Sequence, residues 1–270
     1  MNRGEVTTVR TTRIVAVACL GLSCLIAMGV GSAGATSTTP SVSASTYSTQ
    51  TGILAGKTIG IDPGHNGANG SHPSIINRRV WDGREYKACN TTGTATNAGY
   101  SESRFNYKVA QYLATYLRRQ GARVVMTRTT NTGVGPCINR RAAIINAANA
   151  NVAISIHADG APSRGRGFAI LEPVASGTNN KVIKRSIRWG SVLRRSLLTN
   201  TVMPTSTYDG VNGIKFRRDL GALNLTKVPT VLLETGNMRN SRDARLLTSR
   251  TFQKRLALAI DRAIIQYLKG

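Results

Sequence analysis

Between Lys57 and Leu268, short apolar runs alternate with amphipathic stretches, and this alternation most narrows what the chain can fold into. The runs at Lys57–Asp62 (KTIGID), Ala122–Arg128 (ARVVMTR), Val152–His157 (VAISIH), Gly167–Leu171 and Val228–Glu234 (VPTVLLE) are too short for core helices and read as buried strands. Between them, Ser101–Gln120 repeats apolar residues at Phe105, Val109, Leu113 and Leu117, a helical face that Gly121 would close. Asn139–Asn149, Lys181–Leu198 and Phe252–Leu268 show the same helical spacing. Strands alternating with helices predict an α/β fold: a single domain whose twisted sheet is mostly parallel, with helices on both faces. No internal repeat of solenoid length is present.

The N-terminus reads as an export signal. Arg10 and Arg13 precede the charge-free run Ile14–Val30, and small residues follow to Ala33-Gly34-Ala35. That is the order of a secretory signal, which predicts a signal peptide over 1–35, with an uncleaved anchor as the alternative. Residues 36–55, rich in Ser and Thr, read as a linker, which leaves 56–270 as the folded domain. No other apolar run reaches membrane-spanning length, which excludes a multi-span membrane protein.

Export gives the charge a meaning. The formal charge of +24 falls only to +22 without residues 1–35. Outside the cell, anionic wall polymers or lipid headgroups are the expected partners and nucleic acid is a poor one; a merely solvated basic surface is the plainer alternative. The cysteines left after the signal, Cys89 and Cys137, read as a disulfide in an exported chain, with two free thiols as the alternative. No heptad run supports a coiled coil, and a monomer is the default.

Polar groups stand where apolar strands stop. His65 follows the strand ending at Asp62, His157 ends VAISIH, and Glu234 ends VPTVLLE. Parallel strands would bring all three to one rim, where ligands of open α/β sheets gather. Glu102, opening a helix after a long loop, can reach the same rim. His65, Glu102 and His157 then make a two-imidazole, one-carboxylate set suited to Zn²⁺, with a fourth position left for water. Taken singly, each has an ordinary reading: a strand-end histidine, or a carboxylate favoured by a helix N-terminus. His72 reads as a solvated loop residue. Their spacing alone decides nothing.

The flanking sequence does. IDPGHNG (61–67), YSESRFNYKVA (100–110), SIHAD (155–159) and LLETGNMRNSRDA (232–244) occur in the order seen in zinc-dependent N-acetylmuramoyl-L-alanine amidases of the amidase 3 group, and the chain resembles that family over roughly 57–268. The helix carrying Arg141 matches too. The resemblance implies a single α/β domain with a mixed sheet flanked by helices, and one zinc ion on His65, Glu102 and His157, with Glu234 as the catalytic glutamate. It implies a peptidoglycan hydrolase cutting the amide between the lactyl group of N-acetylmuramic acid and L-alanine of the stem peptide. A different exported zinc amidohydrolase or peptidase, or a non-catalytic wall-binding module, are the alternatives; the absence of HExxH removes the commonest zinc peptidase arrangement. Asn237 stands where the family often has an apolar residue, which predicts a more polar substrate wall. The Cys-containing loop before Tyr100 is unusual and predicts altered access to the groove.

Overall fold

The computed structural model describes residues 52–270. The expected signal peptide and nearly all of the linker lie outside the described residues. In chain order the elements are β1 (Thr58–Pro63), α1 (Pro73–Ile76), β2 (Arg79–Trp81), β3 (Tyr86–Ala88), α2 (Glu102–Arg119), β4 (Arg123–Met126), α3 (Ile138–Ala147), β5 (Val152–Asp159), β6 (Ala169–Pro173), α4 (Ile183–Asn200), β7 (Ile214–Arg217), α5 (Gly221–Asn224), β8 (Thr230–Asn237), α6 (Ser241–Thr248) and α7 (Arg250–Lys269). Six strands form one sheet in the order β4-β1-β5-β8-β6-β7, and β2 and β3 form a separate hairpin.

The expected mixed sheet is present. Neighbouring strands run parallel except β6, which is antiparallel to β8. Side-chain alternation divides the strands between two unequal faces. Ile59 and Ile61 of β1, Val152, Ile154 and Ile156 of β5, and Val231 and Leu233 of β8 join one large core with α2, α4 and α7. The predicted stripe of α2 supplies Phe105, Val109, Leu113 and Leu117, each fully buried. Burial of a side chain of that size is worth about 1.5–3 kcal/mol before chain entropy is charged against it.

The opposite face has less cover. Leu232 of β8 and Ala169 and Leu171 of β6 meet Leu223 of α5, and Ala153 of β5 meets Ile145 of α3. α3 has 10 residues and α5 has 4, against 18, 18 and 20 for α2, α4 and α7. Two short helices leave the carboxyl ends of the strands open on this side. His157 and Glu234 lie two residues beyond Ser155 and Leu232 on this same face.

The expected disulfide is present: Cys89, the residue after β3, is bonded to Cys137 at the head of α3. Several elements differ from the sequence reading. The polar stretch before Tyr100 contains the β2–β3 hairpin. β7, α5 and α6 were not expected either; each is at most eight residues long, too short for a periodic signal.

Candidate metal centre and catalytic site

The loop after β1 carries His65, whose φ of +56° places it in the left-handed region. Two buried arginines hold that loop. Arg141 of α3 donates to the carbonyls of Pro63 (2.7 Å) and His65 (2.7 Å) and to Asp62 Oδ1 (2.7 Å). Arg128, just beyond β4, donates to the carbonyls of Pro63 (2.8 Å) and Gly64 (3.0 Å). Burial would raise the Asp62 carboxyl, but Arg141 and the Thr127 hydroxyl outweigh it and bring the pKa down to about 2. The strain at His65 thus rests on a rigid network of charge-assisted bonds.

Glu102, the first residue of α2, joins the two histidines. Its Oε2 lies 3.1 Å from His65 Nε2, and its Oε1 lies 2.9 Å from His157 Nδ1. Backbone amides of Thr94 (3.0 Å) and Ala158 (3.3 Å) and the Asn106 side chain (3.2 Å) donate to the same carboxylate. Burial opposes its charge, but His65 and His157 more than offset it and hold the Glu102 carboxyl well below the usual range. His65 is raised for the reciprocal reason, since Glu102 outweighs its burial. Its Nδ1 sits 3.0 Å from the Thr91 carbonyl, which orients Nε2 towards the cluster.

One donor atom from each of His65, Glu102 and His157 lies within 4.8 Å of the others, so one small cation can be shared among them. Two imidazoles and a carboxylate suit a divalent transition metal. Two glycines permit this convergence. A Cβ on Gly64 would fall 2.1 Å from His157 Cε1, and one on Gly93 (φ +81°) would fall 2.7 Å from Glu102 Oε2.

Glu234 is paired in register with His157 across β5 and β8, which puts both side chains on one face. Beyond that pair, two residues of β5 are matched by three of β8, a bulge at the strand ends. Oε2 of Glu234 is buried without a hydrogen-bond partner among the described residues. Burial pushes the Glu234 carboxyl well up; Glu102, Asp159 and Asp209 add to this and Arg217 opposes it. A cavity of about 600 Å³ meets His65, His157 and Glu234 on one side and Arg79, Tyr86 and Lys87 of the hairpin on the other.

Comparison with known proteins agrees with this geometry. The family described as N-acetylmuramoyl-L-alanine amidase matches residues 59–266. The chain belongs to that family. It is 36% identical to an N-acetylmuramoyl-L-alanine amidase of Mycobacterium tuberculosis, over 80% of this chain and 88% of the relative. The crystal structure of the N-acetylmuramyl-L-alanine amidase Ami1 from Mycobacterium smegmatis superposes with a TM-score of 0.75 at 38% identity, covering 80% of this chain and 98% of that one. The apo form of Ami1 from Mycobacterium abscessus gives a TM-score of 0.75 at 39% identity, covering 80% and 100%.

Within this amidase the four polar positions expected from strand ends and motifs do converge. His72 is outside the cluster, bonded within its own loop to the Ala68 carbonyl (2.9 Å). Asn237 does not form a polar substrate wall. It is fully buried, donating to the carbonyls of Pro162 (3.0 Å) and Gly165 (2.8 Å) and accepting from the amides of Ala161 and Arg239. An amide meets those backbone groups and an apolar side chain would leave them unpaired. Sequence reading missed Asn106, Arg128 and the Asp209–Arg217 surroundings of Glu234. Only Asn106, four residues after Glu102 on the same helical face, carried a readable signal.

Proposed function

We propose that this amidase binds one Zn²⁺ through His65, Glu102 and His157 and cleaves the bond between the muramic acid lactyl carbonyl and the L-alanine nitrogen of peptidoglycan, with Glu234 as the acid–base group. The observation that carries the reading is the register pairing of Glu234 with His157 beside the two-histidine, one-carboxylate cluster. Zinc held there supplies Lewis acidity to water and to the scissile carbonyl. Glu234 does the proton work. Its carboxylate takes the proton of the attacking water and returns it to the departing alanine nitrogen as the C–N bond breaks. A raised carboxyl pKa suits that double duty, because the group must both accept and release a proton near neutral pH. Glu102, held by two backbone amides and Asn106, keeps the two imidazoles in place.

The remainder of the reading concerns where the enzyme works. Residues 1–35 act as a signal peptide and the domain is exported to the periplasm, the cell wall or beyond, where it acts as a monomer. No described helix is long and apolar enough to cross a membrane. On α2, α4, α6 and α7 the exposed charges are all cationic, among them Arg104, Lys108, Arg185, Arg195, Lys254 and Arg262, while the acids of those helices, Glu102, Asp243 and Asp261, are buried. That face fits anionic wall polymers.

The test is digestion of purified peptidoglycan with mass analysis of the soluble products. Intact stem peptides beginning at L-alanine are expected, and they should vanish with a chelator and return with added zinc. Glu234→Gln should lower kcat by about 10³-fold or more and still bind zinc stoichiometrically. New termini inside the peptide would make the chain a peptidase; zinc binding and wall binding with no released peptide would make it a binding module.

A further inference from the structure

We infer that Trp81 and Tyr86, on the β2–β3 hairpin, form a carbohydrate-stacking site that takes a sugar ring of the glycan strand beside the candidate active site. The inference rests on the amidase reading for its substrate, a glycan bearing a muramoyl peptide.

The two residues are directly opposed across the hairpin, which puts their rings on one face. The rings contact edge to face, with centroids 5.4 Å apart at 62°. Trp81 is 45% exposed and Tyr86 is 58% exposed. A single exposed apolar side chain is ordinary, but two exposed aromatic rings in mutual contact, one of them lining a cavity, present a surface fit for a ligand.

The hairpin is also built to hold the pair still. Its other face carries Lys87, which donates to the Asp219 carbonyl (2.8 Å) and lies 3.2 Å from Glu85. Asp82, fully buried, accepts from the turn amides of Arg84 (2.8 Å) and Glu85 (2.9 Å). Arg84 reaches the Ala175 carbonyl, and the Cys89–Cys137 bond ties the hairpin's exit to α3. Much of the ordering cost of these side chains is therefore met on folding rather than on binding.

Chemistry chooses the ligand. The cation that shares the rings' face, Arg79, is engaged with the Tyr86 carbonyl, and Lys87 on the other face is engaged with the Asp219 carbonyl, so the outer face offers aromatic surface more than free charge. A pyranose presents a face of polarised C–H groups that packs on the electron-rich face of an aromatic ring. A substrate cut at the lactyl amide has two arms, a neutral glycan and a charged peptide, and the aromatic face matches the glycan. Tyr86 lines the same cavity as His65, His157 and Glu234, so one ligand can reach both places.

The chain contains a built-in reporter. It has two tryptophans, and Trp189 is fully buried with its indole donating to the Ala153 carbonyl (3.0 Å). Quenching of tryptophan fluorescence by acrylamide therefore reads Trp81. Titrating the zinc-loaded protein with the tetramer of N-acetylglucosamine should shield Trp81 saturably, and Tyr86→Ala should weaken the shielding by about fivefold or more, a contact worth roughly 1 kcal/mol. Turnover supplies the second readout. Trp81→Ala and Tyr86→Ala should lose at least about fivefold more kcat/KM on polymeric peptidoglycan than on muramoyl dipeptide, mainly through KM, with Trp81→Phe restoring most of it. Equal losses on both substrates, or shielding by free stem peptide and not by the sugar tetramer, would overturn the inference. A wild-type protein that is shielded by the tetramer yet releases no lactyl-linked peptide would instead defeat the amidase reading alone.

Discussion

A methyl group on Gly64 would sit 2.1 Å from Cε1 and 2.3 Å from Nε2 of His157, inside the ring's van der Waals surface. The backbone of a loop pinned by Arg128 and Arg141 cannot yield much, so the imidazole would have to turn. Gly64→Ala is accordingly expected to weaken zinc binding by about 10- to 100-fold while the far-ultraviolet dichroism stays native, because ring orientation controls ligation. Metal content after dialysis against a graded chelator series measures it; wild-type zinc retention would show that the ring has room. The same residue explains why a short motif is so restrictive. Asp62 anchors Arg141, Gly64 clears space and His65 takes the strained backbone, three physical demands within four positions.

At the scale of elements, the disulfide joins two supports of the metal cluster. Cys89 is followed by Asn90 and Thr91, the latter holding His65, and Cys137 heads the helix that carries Arg141. The bond spans 48 residues of sequence, a length for which chain-entropy arguments give about 2–4 kcal/mol. Cys89→Ala/Cys137→Ala should melt about 5–15 °C lower than the oxidised protein, and scanning calorimetry would expose an idle bridge if the curves coincide. The contact of α4 with β6 makes a different prediction. Glu172 of β6 is buried beneath Gly190 of α4, where any Cβ would meet its Oε1 at 2.1 Å. Burial raises its carboxyl from 4.5 to about 7. As pH rises through 4.5 the unfolded chain releases this proton first, so stability falls from there until the folded group also ionises near 7. Glu172→Gln should remove that downward slope and stabilise the protein by up to about 3 kcal/mol above pH 7. Denaturant titrations at pH 4.5 and 8 would refute this if the variant's advantage were equal at both.

Among the described residues, the exposed charges of α2, α4, α6 and α7 are all cationic, whereas the carboxyl ends of the strands mix the acids Asp62, Glu102, Asp159, Asp219 and Glu234 with Arg79, Lys87 and Arg141. Attraction through an exposed cationic face is screened over about 8 Å at physiological salt. Sedimentation of the Glu234→Gln protein with purified walls should therefore decline steeply between 50 and 500 mM salt, concentrations chosen at roughly a tenfold spread. Salt-independent sedimentation would assign wall affinity to the substrate groove and not to the helical face.

Much of this architecture could be read from periodicity, because alternation of apolar residues reports directly which face of a segment is buried. Val152–His157 and Val228–Glu234 declared themselves as buried strands, and their polar last residues marked the rim where His157 and Glu234 now stand in register. Phe105, Val109, Leu113 and Leu117 likewise named the inner face of α2. Direction and partnership were another matter. Whether β6 runs with or against β8 depends on the path of the chain between them, which local pattern does not encode. The hairpin is three residues a side and stands through Asp219 and Cys137, groups remote in sequence. Asn237 looked like a groove residue and proved to be a pin for the loop at 161–165, since the carbonyls it donates to lie more than 70 residues away. By itself the sequence determined the longer elements, the sheet's buried faces and the four polar groups of the site, all consequences of local period and motif. Tertiary structure alone decided which strand opposes its neighbour and where the hairpin that carries Trp81 and Tyr86 stands, because those outcomes depend on contacts between residues that the chain keeps far apart.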